Sequence, residues 1–337
     1  MKNLIPPHPA LSPFGGGGKG EGTLPECQRV CDMERKQEAA GKNGNGRRWK
    51  FLQWPLQSLK TIFQDTLGAI GLVLLVFFVV MAFLAPWVAP FGPFEVVYNA
   101  DKTVVRLEAP NARNWLGTTN QGMDVYSQLL HGSRIALLVG VLSAVGSVLV
   151  GTAVGLFSGY YGKWVDQVLM RITDIVFGIP FMPFAMIAIS ISRPSLFLLI
   201  LMIIFFLWRT TARVIRSQVL SLRERPFVWA ARAAGASDLK ILFLHIGPNV
   251  LPFSFLYMAI GVSAGVMLEA GLSFLGFGDP HVLSWGQMLN FAFNAGAMRN
   301  AWWWVLPPGL CLSLFVTSSF MITRAYEKMI NPRLREI

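Results

Sequence analysis

Six apolar runs alternate with polar segments along this chain: roughly Leu67–Val88, Ile135–Phe157, Val168–Ile191, Ser195–Trp208, Val250–Gly271 and Trp302–Ile322. A helix needs about 20 apolar residues to cross a bilayer. Backbone polar groups in lipid must be satisfied within the segment, so each run is expected as a helix. The pattern predicts an all-α integral membrane protein with six transmembrane helices. The fourth run is the least defined at its end, because Arg209, Arg213 and Arg216 continue it at helical spacing. That suits a helix emerging from the membrane.

Between the fourth and fifth runs, Glu224 to Pro252 reads ERPFVWAARAAGASDLKILFLHIGPNVLP. It is too basic for hydrocarbon, so a structured loop on the membrane surface is expected. Pro226 suits a first helical turn, where its missing N–H costs nothing. Ala230, Ala231, Arg232, Ala233 and Ala234 are good helix formers. Gly235 permits a left-handed turn that ends this helix. Ser237 is expected to cap a second helix with Asp238 in its first turn. Leu239, Ile241, Leu242 and Leu244 are read as the apolar side of that helix, Lys240 and His245 as the polar one. Pro248 and Pro252 are expected to break the chain before the fifth span. The small alanines let a helix sit deep in a partner's groove, and Phe227, Val228 and Trp229 form an apolar end able to anchor there. A partnerless amphipathic surface helix is the competing reading.

Composition agrees with a membrane chain. Of 337 residues, 53% are hydrophobic and 14% charged, against roughly a quarter charged in soluble domains; the mean hydropathy is +0.50. The net charge of +11 lies in loops, where it sets topology and meets anionic lipid; nucleic-acid binding is not expected. With residue 1 inside, inside segments hold 22 Lys and Arg and outside segments 6, with Arg171 inside the third run. That bias predicts both termini, and the 209–248 loop, to be cytoplasmic. Residues 1–60 are rich in Gly, Pro and charge and are expected as a disordered tail. The expectation for 1–32 is an over-extended start, with Met33 an equal candidate. The membrane-spanning body is expected over 61–330, and 331–337 as a cytoplasmic C-terminal tail. Gly15–Gly22 is not a phosphate loop, since Lys19 is followed by Gly20 rather than Ser or Thr. Cys27, Cys31 and Cys311 give no disulfide framework, and with four scattered histidines no metal site is expected.

The Glu224–Pro252 stretch resembles the "EAA" coupling loop of binding-protein-dependent ABC importer permeases, specifically the peptide and nickel branch. Ala230, Ala231, Gly235, Leu251 and Pro252 match that signature, and Trp229 stands where a Glu is usual. Further blocks agree in order over about 65 to 337: NWLGTTNQGMDVYSQLLHGSRIALLVG (Asn114–Gly140), GYYGKWVDQVLMRITDIVFGIP (Gly159–Pro180), LEAGLSFLGFGDP (Leu268–Pro280), SWGQML (Ser284–Leu289) and NPRLRE (Asn331–Glu336). They are similar to the second permease of dipeptide and oligopeptide importers. One further departure is Thr323-Arg324-Ala325-Tyr326-Glu327, where the family usually has Gly-Asp-Gly-Leu-Arg.

The resemblance implies a type I importer permease architecture: a second permease, two ATPase subunits and an extracytoplasmic solute-binding protein around this chain, in a bacterial or archaeal plasma membrane. The chain would hold no cofactor; ATP would be used by partner subunits. Phe227, Val228, Trp229, Ala230, Ala231, Ala234, Gly235, Ser237, Asp238, Leu251 and Pro252 would form the ATPase-coupling region, with about Arg225–Leu239 moving as a lever. Peptides are the expected cargo. An ion-coupled secondary transporter is the rival; it would need paired intramembrane carboxylates and broken helices in matching halves. Arg171 and Asp174, three residues apart, are expected to pair, as a structural pair near the cytoplasmic interface rather than in the solute path. Glu269 is read as lining the pathway or capping a polar loop. Asp124 and Arg134 are read as fixing local structure, and Trp302, Trp303 and Trp304 as an interfacial belt rather than a stacking platform for solute.

Overall fold

A computed structural model describes Phe63 and residues 65–330. The expected tails, the start at Met33, Cys27, Cys31 and the Asn331–Glu336 block lie outside those residues.

The apolar runs are helical. The helices are α1 (Thr66–Val88), α2 (Val125–Tyr161), α3 (Lys163–Gly178), α4 (Phe181–Ile191), α5 (Leu196–Arg223), α6 (Pro226–Ala233), α7 (Asp238–Lys240), α8 (Gly247–Phe274), α9 (Trp285–Asn294) and α10 (Trp302–Ile330). Among the described residues there is no strand, only isolated antiparallel bridges such as Val96–Met123 in the 89–124 loop. α1, α2, α5, the run Asp238–Phe274 and α10 are each long and apolar enough to cross a bilayer.

The third predicted span, Val168–Ile191, is present but is not one straight helix. It is a pair of helices, α3 and α4, bent by 85° at Ile179–Pro180. Proline disfavours helical geometry at the residue before it, and Ile179 is extended. The fourth run carries on as the arginine spacing suggested, to Arg223. The proline break before the fifth span is also corrected. Pro248 sits in the first turn of α8, and Pro252 lies inside that helix without ending it. A π-helical turn, Ile241–Ile246, joins α7 to α8.

Small residues bring the long helices together. A Cβ on Gly151, Gly155 or Gly159 of α2 would lie 2.5–2.7 Å from Trp208 O, Ala212 O or Val219 Cβ of α5. Such close approach is how helices associate in lipid, where no hydrophobic force acts between them. Gly261 and Gly265 of α8 meet Ala144, Ser143 and Gly140 of α2 in the same way.

At the end bearing the 89–124 loop, Asp124 caps α2, accepting from Ser127 N at 2.8 Å and Ser127 Oγ at 2.7 Å. This is the local role expected of it. Trp285 donates Nε1–H to Leu129 O at 3.0 Å and packs on Phe78 and Phe315. The tryptophan belt is revised. Trp302 is exposed, but Trp304 is buried in the core and Trp303 Nε1 donates to Thr118 O at 3.4 Å. Glu269 is buried and accepts from Ser273 Oγ at 2.6 Å, which favours the local reading of this residue.

The α3–α4 pair carries the chain across the bundle. At one side Arg223 Nη1 at the end of α5 donates to Gly159 O at the end of α2, 3.0 Å. At the other side Leu196 N at the start of α5 donates to Asp279 Oδ2 in the α8–α9 connection, 3.0 Å. Lys328 Nζ lies 3.3 Å from Asp65 Oδ1, so the start of α1 and the end of α10 share one side.

Candidate docking site

Beyond Arg223 the chain turns sharply, with Arg225 N donating to Leu222 O at 3.1 Å. Pro226 then opens α6 at its first turn. The helix closes with a Schellman pattern. Ala236 N donates to Ala231 O at 3.1 Å and Gly235 N to Arg232 O at 3.0 Å, with Gly235 at φ +78°. Those two bonds satisfy carbonyls that the helix end leaves open. The helix–turn–helix reading around Gly235 therefore holds. Ser237 stands at the cap position of α7, but its side chain makes no capping bond; the turn instead rests on Ile241 N donating to Ser237 O at 2.9 Å.

Two faces of α6 differ. Val228 and Ala231, three residues apart, point inward and are buried with Leu156, Tyr160, Ile215, Val219, Ile241, Leu242, Ile246 and Val250. Full burial of a valine contributes about 1.5–3 kcal/mol, so this contact fixes α6 to α2, α5 and α8. Phe227, Trp229, Ala230, Ala233, Ala234 and Gly235 are exposed. Val228 is thus part of the chain's own core rather than of an outward apolar end. Leu251 and Pro252 sit half-buried on α8, apart from the α6 surface.

The apolar side expected of the second helix is re-phased. Ile241, Leu242 and Ile246 are buried, while Leu239 and Leu244 are exposed. A π turn steps its hydrogen bonds back five residues, which shifts the inward face relative to a 3.6-residue count.

Electrostatics lock the loop to the spans. Tyr160 Oη, at the end of α2, donates to Asp238 Oδ1 at 2.6 Å. It also lies against Arg232, raising that guanidinium's pKa further. Arg232 stacks over the Trp229 ring, 5.3 Å from its centroid. Arg216 holds Asp166 with two bonds, 2.5 and 2.6 Å, and Ser158 Oγ also donates to that carboxylate. Glu224 pairs with Arg223 at 3.1 Å. Tyr160, Arg223, Glu224, Trp229 and Arg232 enclose a surface cavity of about 210 Å³. Both acidic groups of the loop, Glu224 and Asp238, thus have internal partners. Arg225 and Lys240 are exposed.

Arg216 continues the arginine spacing of the fourth run, but nothing in the sequence marks Tyr160 or Asp166 as partners of the loop or of that arginine. Their only sequence signal is a polar group at the end of an apolar run. Asp174 corrects a predicted pair: it binds Arg213 of α5 at 2.6 Å, not its helix neighbour Arg171.

A rigid two-helix unit with an exposed face of small and aromatic residues can accept a partner's groove. Comparisons with known proteins name the class. Residues 151–336 match the model of the "binding-protein-dependent transport system inner membrane component" family. Residues 54–110 match the "N-terminal TM domain of oligopeptide transport permease C". The dipeptide transport system permease protein DppC of Alkalihalophilus pseudofirmus is 31% identical over 280 residues, 83% of this chain and 90% of that protein. A putative peptide permease protein of Brucella suis biovar 1 is 34% identical over 278 residues, 82% and 90% respectively. Among solved structures, the MetNI methionine ABC transporter in inward-facing conformations aligns with a TM-score of 0.46 at 19% identity, covering 61% of this chain and 95% of that one. With more than half of its length matched by the first model, this chain is a multi-pass membrane subunit that belongs to the family of binding-protein-dependent transport system inner membrane components.

Proposed function

We propose that this chain is the transmembrane permease subunit of an ATP-driven importer of peptides, and that α6, Gly235 and α7 form its contact with an ATPase subunit. The observation that carries this is the two-faced α6. Val228 and Ala231 tie it to the spans, while Phe227, Trp229, Ala230, Ala233 and Ala234 face outward. A helix fixed on one side and open on the other transmits a partner's motion to the bundle as a rigid body. The peptide and dipeptide permeases among its relatives support the cargo class. ATP is used by the partner subunits, and an extracytoplasmic binding protein delivers the solute. A second permease completes the pathway. The ion-coupled alternative finds no support in the family.

Both termini and the α6–α7 loop are assigned to the cytoplasm. The charge bias supports this, as does the proximity of Asp65 to Lys328.

The test is a mild-detergent pull-down of the tagged chain from its native host, read by mass spectrometry. Wild type is expected to bring down an ATPase and a second permease. Ala230→Arg and Ala234→Arg, placed on the exposed face, are expected to lose the ATPase alone. Recovery of the intact chain with neither partner, in detergents that preserve related complexes, overturns the reading.

A further inference from the structure

Two helices of the bundle carry polar stripes that the chain itself leaves uncovered. On α3, Gln167, Arg171, Asp174 and Gly178 are exposed; their spacing places them on one helix face. On α5, Thr210, Arg213, Ser217 and Ser221 are exposed at matching spacing. The stripes meet at the Asp174–Arg213 pair, 2.6 Å long, whose side chains are 52% and 48% exposed. It sits next to the 85° break between α3 and α4.

Counted from Leu196, a crossing of about 20 residues reaches roughly Ile215, so Arg209 and Arg213 fall in its inner third. Charged groups at such depth face a bundle interior or water rather than lipid. Irregular backbone at membrane depth is tolerated only against protein or a water-filled cavity. Broken helices mark binding sites in other transporters for this reason. The break here is braced from one side. Arg209 Nη1 donates to Val176 O at 2.6 Å, and its guanidinium lies 4.6 Å from the Phe177 centroid and 5.3 Å from that of Phe206. Arg213 also stacks over Phe177, 3.8 Å from its centroid. The nearby Arg216–Asp166 pair is different: two bonds and a third from Ser158, with the side chains 32% and 20% exposed. One pair is closed and structural; the other is half open and holds a single bond.

We propose that the face shared by α3 and α5 lines the aqueous part of the solute path, and that Asp174 and Arg213 are contact points for the charged ends of a short peptide. The proposal rests on the peptide-import reading. A zwitterionic peptide carries a carboxylate that a guanidinium binds with two hydrogen bonds and an ammonium that a carboxylate accepts. Arg213 and Asp174 would exchange their mutual bond for those of the passing solute.

The test uses the full complex in proteoliposomes, with this chain's native cysteines replaced by serine. Thr210→Cys and Ser217→Cys on α5, and Gln167→Cys on α3, are compared with Leu201→Cys, an exposed position on the opposite face of α5. A charged, water-soluble methanethiosulfonate is expected to label the first three and block dipeptide uptake, and to spare Leu201→Cys. Arg213→Gln is expected to raise the half-saturating concentration for a free-acid dipeptide more than for its C-terminal amide. Stripe cysteines as unreactive as Leu201→Cys overturn the proposal, as does uptake indifferent to their labelling or an equal shift for acid and amide. A wild-type complex that moves no peptide instead overturns the import reading. Peptide uptake by wild type with inert stripe cysteines overturns only this inference.

Discussion

Gly235 shows how one backbone angle constrains the docking loop. Its φ of +78° costs a residue with a Cβ about 1–2 kcal/mol, although no atom lies within 4 Å of where that Cβ would stand. Gly235→Ala is therefore expected to fold with a modest loss of thermal stability. Gly235→Pro cannot reach this φ and loses the N–H that donates to Arg232 O. Its uptake should collapse while immunoblots of the membrane fraction show normal insertion; full uptake by this variant would count against the coupling role. Tyr160→Phe removes the 2.6 Å bond to Asp238, a contribution of about 0.5–1.5 kcal/mol. Faster amide exchange over 238–246 is expected, and unchanged exchange would show that the bond does not hold the loop. The glycine was legible in the sequence because its turn is made by neighbours. Tyr160 was not, because its partner is 78 residues away.

Packing between elements depends on the glycines of α2. At Gly155 an added Cβ would meet Ala212 O and Ile215 Cβ, each at 2.7 Å, and neither backbone nor branched Cβ can step aside. Overpacking of this kind costs about 1–3 kcal/mol even for small increments. Gly155→Leu should abolish the monodisperse peak in detergent size-exclusion. Gly309→Leu on α10, where nothing lies within 4 Å, should leave it intact; equal behaviour of the two would refute the close α2–α5 contact. Helix existence was plain from the apolar runs. Helix continuity was not, for contrary reasons at two prolines. Pro180 marks a true elbow, with Arg209 capping the freed carbonyl of Val176. Pro252 lies within an unbroken α8. Proline removes one donor in both cases, and whether the helix survives depends on what surrounds it.

For the whole molecule, the pairing of Asp65 with Lys328 requires an even number of crossings between them. Five straight spans alone would leave the two ends on opposite faces, so the bent α3–α4 pair counts as the sixth crossing. Reporter fusions test this and the charge bias together. A fusion after Asp101 should be active outside the cell and one after Glu224 inside; the reverse pattern would invert the assignment. Hydrophobic run length, the Lys and Arg distribution, and the local turn chemistry at Pro226 and Gly235 are properties of neighbouring residues, and they can be read along the chain: apolar helical spans with one structured basic loop. Packing in three dimensions sets which face of α6 is buried, that Asp174 reaches Arg213 rather than Arg171, that Trp304 is core, and that polar stripes of α3 and α5 meet at an elbow. Each of those depends on contacts between residues far apart in the chain, and a helical repeat specifies a face without specifying what lies against it.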